Sequence, residues 1–192
     1  MGFLDGLLGR RKPARPNLDA LFALPSAAIS LQASLDLVST GEGAVAFRPA
    51  EGRAFADVEA EVTALLDAGG GPGVRLVPDS YGYTWLVVTT EPPDLSAVVT
   101  DLHAVNVTLT ENGFGPQLLC TLVPFRDPQG RRVALVYLYK RGTFYPFAPQ
   151  EGERRDSVRE LQVRDLLQGE VPWEGDLTRW FPVWGAPGTS EG

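Results

Sequence analysis

Two adjacent cations, Lys140 and Arg141, stand inside a run that carries five of the chain's eighteen aromatic rings: Tyr137, Tyr139, Phe144, Tyr145 and Phe147. Cations set among rings can hold an acidic peptide through charge and cation–π contact, or stack on a small ligand. Together with Tyr81 and Tyr83 they supply the groups for a partner-binding surface: Tyr81, Tyr83, Lys140, Arg141, Phe144 and Tyr145. The alternative is a small-molecule or enzymatic pocket lined by Tyr81, Tyr83, Lys140, Arg141 and Tyr145. A structural corner accounts for the same run equally well, with Gly142 permitting a tight turn, Pro146 and Pro149 stiffening the exit, and the rings covering an open sheet edge.

Catalytic chemistry has little else to work with. The chain has one histidine, His103, and one cysteine, Cys120, and no Gly-x-Ser-x-Gly elbow. His103 borders an apolar helical stripe and Cys120 lies in an apolar strand, so core packing explains both better than a nucleophile–base pair does. A zinc site needs about three or four soft or imidazole ligands, which one Cys and one His cannot supply. Gly69-Gly-Gly-Pro-Gly73 lacks the Gly-Lys-Ser/Thr ending of a phosphate loop and follows a helix instead of opening one. The expectation is a non-enzymatic chain with no cofactor and no metal.

The charge is split. A formal net charge of -7 over 192 residues argues against nucleic acid, whose phosphate backbone demands a dense positive field. Yet Arg10, Arg11, Lys12 and Arg15 cluster directly after Phe3, Leu4, Leu7 and Leu8, which share one helical face. Residues 1–16 thus read as a basic-apolar tail, either a peripheral membrane contact through Phe3, Leu4, Leu7, Leu8, Arg10, Arg11 and Lys12, or a terminus that frays or folds back. Glycine at position 6 speaks against myristoylation. With one cysteine, no signal-peptide pattern and no stretch of about 20 apolar residues, a cytoplasmic location is expected.

The positioning elements follow from periodicity. Asn17 is placed to cap a first helix through Leu18, Leu21 and Phe22. Residues 27–38 alternate like a strand but have helical composition, and helix is favoured. A short strand at 44–48, a helix through Phe55, Val58, Val62, Leu65 and Leu66, and strands at 74–77 and 83–89 come next. Asp94 or Ser96 caps a helix with Leu95, Val98, Val99, Leu102, Val105, Asn106 and Leu109 on one side. Strands near 117–125 and 132–139 form a hairpin across Asp127-Pro-Gln-Gly130, and the second, apolar on both faces, belongs inside the sheet. A last helix spans 157–167. Beyond it Trp173, Trp180, Phe181 and Trp184 are too many rings to leave in water and must dock. The fold class is α+β: one mainly antiparallel sheet of about five strands with helices packed on it, in a single domain over 17–185 followed by a flexible tail at 186–192.

Several blocks carry a family likeness: Met1-Gly-Phe-Leu-Asp-Gly-Leu-Leu-Gly9, Tyr81-Gly-Tyr-Thr-Trp85, Thr100-Asp-Leu-His-Ala104, Glu111-Asn-Gly-Phe-Gly115, Tyr139-Lys-Arg-Gly-Thr-Phe-Tyr-Pro-Phe147 and Arg179-Trp-Phe-Pro-Val-Trp-Gly185. Nearly end to end, the chain resembles PspAB, the phage-shock-protein-A-associated family. The resemblance implies a bacterial accessory protein, adaptor-like, of the envelope-stress system in which a membrane-binding coat protein senses and repairs inner-membrane damage. It implies a protein partner from that machinery, with a membrane metalloprotease of the heat-shock type as another, and it brings no catalytic residues. The element order also looks like the small fold of type III secretion chaperones, an analogy that does not fix function.

Overall fold

In the computed structural model, described over residues 16–67 and 74–189, the chain builds one open antiparallel sheet with helices on one face and a non-repetitive C-terminal strap on the other. The helices are α1 (Leu24–Leu35), α2 (Arg53–Asp67), α3 (Leu95–Glu111) and α4 (Ser157–Leu166), and a 3-10 turn, Leu18–Ala23, leads into α1. The sheet strands are β1 (Val38–Ser39), β2 (Glu42–Phe47), β3 (Arg75–Pro78), β4 (Thr84–Thr89), β5 (Leu118–Arg126), β6 (Arg132–Leu138) and β7 (Thr143–Phe147). They run in the order β3-β4-β2-β5-β6-β7, with the short β1 also pairing β5. A two-stranded ribbon, β8 (Pro149–Gln150) and β9 (Arg154–Arg155), joins β7 to α4.

The α+β class is as expected, and the sheet is larger than five strands because β1 and β7 join it. Pro146 hid β7, since proline inside a run argues against a strand. The geometry explains why it is tolerated. Phe144 turns its backbone away from β6, donating to the Pro172 carbonyl (2.7 Å) and accepting from the Glu174 amide (2.8 Å). Pro146, two residues on, has the same outward phase, where no ladder bond to β6 is lost. β6 is interior as its double apolar pattern requires, between β5 and β7.

The ambiguous segment resolves into α1 up to Leu35, followed by Asp36 in the left-handed region (φ 53) and then β1. Asn17 does not cap by its side chain. Its carbonyl instead accepts from the Ala20 amide (3.1 Å) and the Tyr137 hydroxyl (2.9 Å), tying the first turn to β6. Asp94, by contrast, caps α3 through the Ser96 and Ala97 amides. The helical run Leu18–Leu35 is long and apolar enough to cross a membrane, but it seats Leu21, Leu24, Ala27 and Leu31 in the core while leaving Phe22 and Ile29 exposed.

The two sheet faces bury different residues. Val45, Phe47, Leu86, Val88, Val123, Phe125, Val133, Leu135 and Tyr137 pack beneath α1 and α3. Ala44, Ala46, Trp85, Val87, Cys120, Leu122, Ala134, Val136, Leu138, Tyr145 and Phe147 pack beneath Trp180, Val183, Trp184 and Ala186. Packing continues past position 185: Ala186 and Thr189 are buried, and Gly188 (φ +71) lies so close that an added Cβ would sit 2.6 Å from Pro124. The tryptophan-rich segment thus docks on the sheet itself.

Candidate functional site

One end of the sheet gathers the β3–β4 turn, the start of β5, the end of β6, the start of β7 and residues 181–184 of the strap. Between them lies an open recess of about 390 Å3, lined by Asp79, Tyr81, Tyr83, Trp85, Leu119, Cys120, Leu138, Tyr145, Phe181, Pro182, Val183 and Trp184. Its volume falls within the range of small-ligand and side-chain pockets.

Each wall has a local cause. Asp79 folds the turn over it: one oxygen accepts from the Tyr81 (2.8 Å) and Tyr83 (2.9 Å) amides, and the other from Trp85 Nε1 (3.0 Å). Leu119 owes its position to a bulge. Ala46 pairs with Cys120 but Phe47 with Leu118, so Leu119 has no partner on β2 and is free to face the recess. The Tyr145 hydroxyl donates to the Phe181 carbonyl (2.8 Å) and its ring stacks on Trp180 at 6.3 Å. Trp184 meets Phe147 edge-on at 4.9 Å.

The strap is latched by Glu174, whose side chain is only 3% exposed. One carboxylate oxygen accepts from Arg141 Nε (2.9 Å) and Thr143 Oγ1 (3.2 Å); the other accepts from the Asp176 amide (3.1 Å) and lies 3.6 Å from Arg179. Burial pushes the Glu174 carboxyl upward, but the Asp176 amide and the Arg141 guanidinium outweigh it and hold the group below its ordinary value. The Trp180 indole donates to the Glu174 carbonyl (2.9 Å), and Arg155 donates to the Trp180 carbonyl.

A second hollow of about 270 Å3 adjoins the first and shares Tyr83 and Leu119 with it; Arg48, Pro116, Gln117, Leu118 and Lys140 complete it. The Arg48 guanidinium lies 5.3 Å from the centre of the Tyr83 ring, and its NH2 is 3.4 Å from the Tyr83 hydroxyl.

The recess carries no reactive pair. Burial, and then the nearby Asp79 charge, push the Cys120 thiol up to about 12, and burial also raises the Tyr145 phenol, so both stay protonated at neutral pH. His103 is on the helix-covered side, against Phe22 (4.8 Å) and Asp19 (3.2 Å), with the sheet between it and Cys120. Among the described residues, no group of three or more His, Cys, Asp or Glu side chains could hold a metal.

Of the partner-binding residues read from the sequence, Tyr81, Tyr83 and Tyr145 come together in the recess and Lys140 stands in the adjoining hollow. Arg141 is engaged by Glu174, at the β6–β7 turn where Gly142 adopts φ +69. Phe144 is fully buried on the opposite face, against Tyr137 at 5.1 Å. Phe3, Leu4, Leu7, Leu8, Arg10, Arg11 and Lys12 lie outside the described residues, as does the glycine loop at 69–73. Asp79, Trp85, Leu119, Phe181 and Trp184 were not read as site residues. The tryptophan cluster signalled docking, but its spacing does not show that residues 181–184 meet the β3–β4 turn.

An open antiparallel sheet, helices on one side and a strap on the other, with an aromatic recess at the seam, defines an α+β protein whose distinctive surface is a hollow walled largely by rings. The chain belongs to the PspAB family, PspA associated protein B, whose family model matches residues 1–188. No curated protein and no solved structure matched the chain in the corresponding comparisons.

Proposed function

We propose that this chain is a non-enzymatic accessory protein of the phage-shock, envelope-stress system, and that it binds PspA through the recess at the seam of sheet and strap. The observation that carries it is the recess itself: aromatic walls from three separate parts of the chain, with its one thiol, Cys120, protonated at neutral pH and, among the described residues, no metal-ligand cluster. Membership of a family described as PspA-associated supplies the partner. In this proposal the protein works at the cytoplasmic face of the inner membrane, Phe3, Leu4, Leu7 and Leu8 enter the headgroup region, and Arg10, Arg11 and Lys12 meet anionic lipid. A membrane metalloprotease is a further partner within the same proposal.

Affinity capture from membrane-stressed cells should recover PspA with the full chain and markedly less with Tyr81→Ser, an exposed rim position. Equal recovery would remove the recess from the contact, and no recovery with the intact chain would remove PspA as the partner. Anionic vesicles should retain the full chain and release Leu7→Asp/Leu8→Asp; equal retention would end the membrane role. A small-molecule site is the alternative, favoured by the volume of the recess, but Arg141 is committed to Glu174 and Lys140 stands outside the main hollow.

A further inference from the structure

Charge is used sparingly around the recess. Elsewhere most of the basic side chains meet carboxylates, among them Arg131 and Arg159 on Asp127, Arg155 on Glu160, and Arg141 and Arg179 on Glu174, while Arg132 and Arg154 donate to the Gly188 and Glu151 carbonyls. Arg48 and Lys140 differ. Both are exposed in the hollow next to the recess, and among the described residues neither forms an ion pair with a carboxylate, in a chain with 24 acidic residues against 17 basic ones. Asp79, the carboxylate nearest the apolar walls, is already occupied by three N–H donors. The recess therefore offers an incoming ligand apolar surface on one side and uncompensated positive charge on the other. Tyr81 and Phe181, 62% and 57% exposed, present rings to water at its rim.

We infer that the recess and the Arg48–Lys140 shelf together recognise an extended acidic peptide segment, one large apolar side chain seated among Tyr81, Trp85, Tyr145 and Trp184 and a neighbouring carboxylate held by the two cations. This rests on the protein-binding function proposed above and specifies the chemistry of the segment that docks. The apolar anchor supplies most of the affinity, since buried aromatic and large aliphatic anchors dominate such contacts. The solvent-exposed cations supply discrimination between acidic and basic segments and a dependence on salt. Tyr83 joins the halves, because its ring is a wall of the recess and the platform under Arg48.

The test is titration of the full chain, followed by tryptophan fluorescence and calorimetry, with acetylated and amidated synthetic peptides. The probe acetyl-Ser-Phe-Ser-Glu-Glu-Ser-amide is compared with versions carrying Lys for both Glu, or Ala for Phe. At low salt the acidic probe should bind about tenfold more tightly than its Lys counterpart, and Phe to Ala should cost about tenfold or more. Arg48→Glu/Lys140→Glu, both at exposed positions, should reverse the charge preference, and Tyr81→Ser should weaken acidic and basic probes alike. Equal binding of the two, an unchanged preference in the double variant, or no binding of the acidic probe overturns the inference. If PspA is still captured when the peptides fail, the acidic-segment chemistry is wrong and the accessory role stands. If the peptides obey the rule and PspA is not captured, the chemistry stands and the partner is another protein.

Discussion

The two faces of the sheet are covered by different means, and their side chains differ accordingly. On β2 and along part of β5 and β6 the helix side carries Val45, Phe47, Phe125 and Leu135 and the strap side Ala44, Ala46, Pro124 and Ala134, while Trp85, Tyr145 and Phe147 place large rings under the strap elsewhere. A helix holds its backbone some distance from a sheet, so strand side chains must be large enough to fill the gap. The strap brings its own bulk in Trp180 and Trp184, and small strand residues let it lie close. Backbone satisfaction differs as well. Helices bond internally, whereas the strap leaves carbonyls that side chains must meet, as Arg132 does for Gly188, Tyr145 for Phe181 and Arg155 for Trp180. The helical cover is closed, and the strap cover is held at points, with the recess where it departs from the sheet.

The comparison predicts its largest difference in core truncations. Phe125→Ala empties a fully buried site under the helices and should cost about 3–5 kcal/mol. Trp184→Ala removes a half-buried ring from the strap and should cost about 1–2 kcal/mol while weakening partner binding. Urea denaturation of both variants checks the order. Similar costs would mean that the strap is as integral as the helices.

Next comes the latch. Glu174→Gln keeps the shape but removes the charge that holds Arg141 and Thr143, at a cost of about 1.5–3 kcal/mol at neutral pH. The sign of its pH dependence follows from a folded pKa below the unfolded one: the contribution is present above the ordinary carboxylate value of 4.5 and is lost as pH falls through the depressed value. The difference between wild type and Glu174→Gln should therefore shrink in acid. Glu160, raised chiefly by burial, runs the other way, contributing at low pH and losing that contribution as pH rises. It is present in both proteins and cancels in the difference. A gap that stays constant from neutral pH to well below pH 4.5 would show that the charge of Glu174 is not what holds the strap.

What the sequence shows and what it hides divide along the same line. Alpha3 was legible because Val98, Val99, Leu102, Val105 and Leu109 repeat at helical spacing behind an Asp94 cap, and all five are buried. The β5–β6 hairpin was legible because Asp127 folds its own turn, accepting from the Gln129 (3.0 Å) and Arg131 (2.9 Å) amides. These are local interactions, and local sequence encodes them. The recess is not local. It needs Leu119 turned by a one-residue slip between β2 and β5, Tyr145 on a strand disguised by Pro146, and residues 181–184 brought back over the sheet. Of its walls only Tyr81, Tyr83 and Tyr145 were read as site residues, and Phe144, adjacent to Tyr145, points to the opposite face because strand neighbours alternate.

Cysteine labelling gives a kinetic version of the contrast. Cys120 is buried beneath the strap at the floor of the recess, with its thiol pushed up to about 12, so loosening the strap should speed its reaction with a maleimide at neutral pH. Glu174→Gln should speed labelling about tenfold or more, since each 1.4 kcal/mol of local stability is about a factor of ten. A cysteine under the helices, Val123→Cys in a Cys120→Ala background, should react slowly whether or not Glu174 is replaced. Acceleration of both thiols alike would mean that the latch stabilises the whole fold and not one cover.

The smallest predicted effect separates the faces most finely. Tyr137 and Tyr145 each donate a hydroxyl to a backbone carbonyl, Asn17 at 2.9 Å on the helix side and Phe181 at 2.8 Å on the strap side. Asn17 keeps a second donor, the Ala20 amide, and the Phe181 side chain stands at an exposed rim, so either Tyr→Phe change should cost about 1 kcal/mol or less. Binding should distinguish them. Tyr145→Phe frees the strap where it forms the recess and should lower affinity for the acidic Phe-containing peptide severalfold, while Tyr137→Phe leaves that affinity unchanged. Equal losses would show that the helix-covered face is coupled to the recess through the sheet, and that the two covers do not act independently.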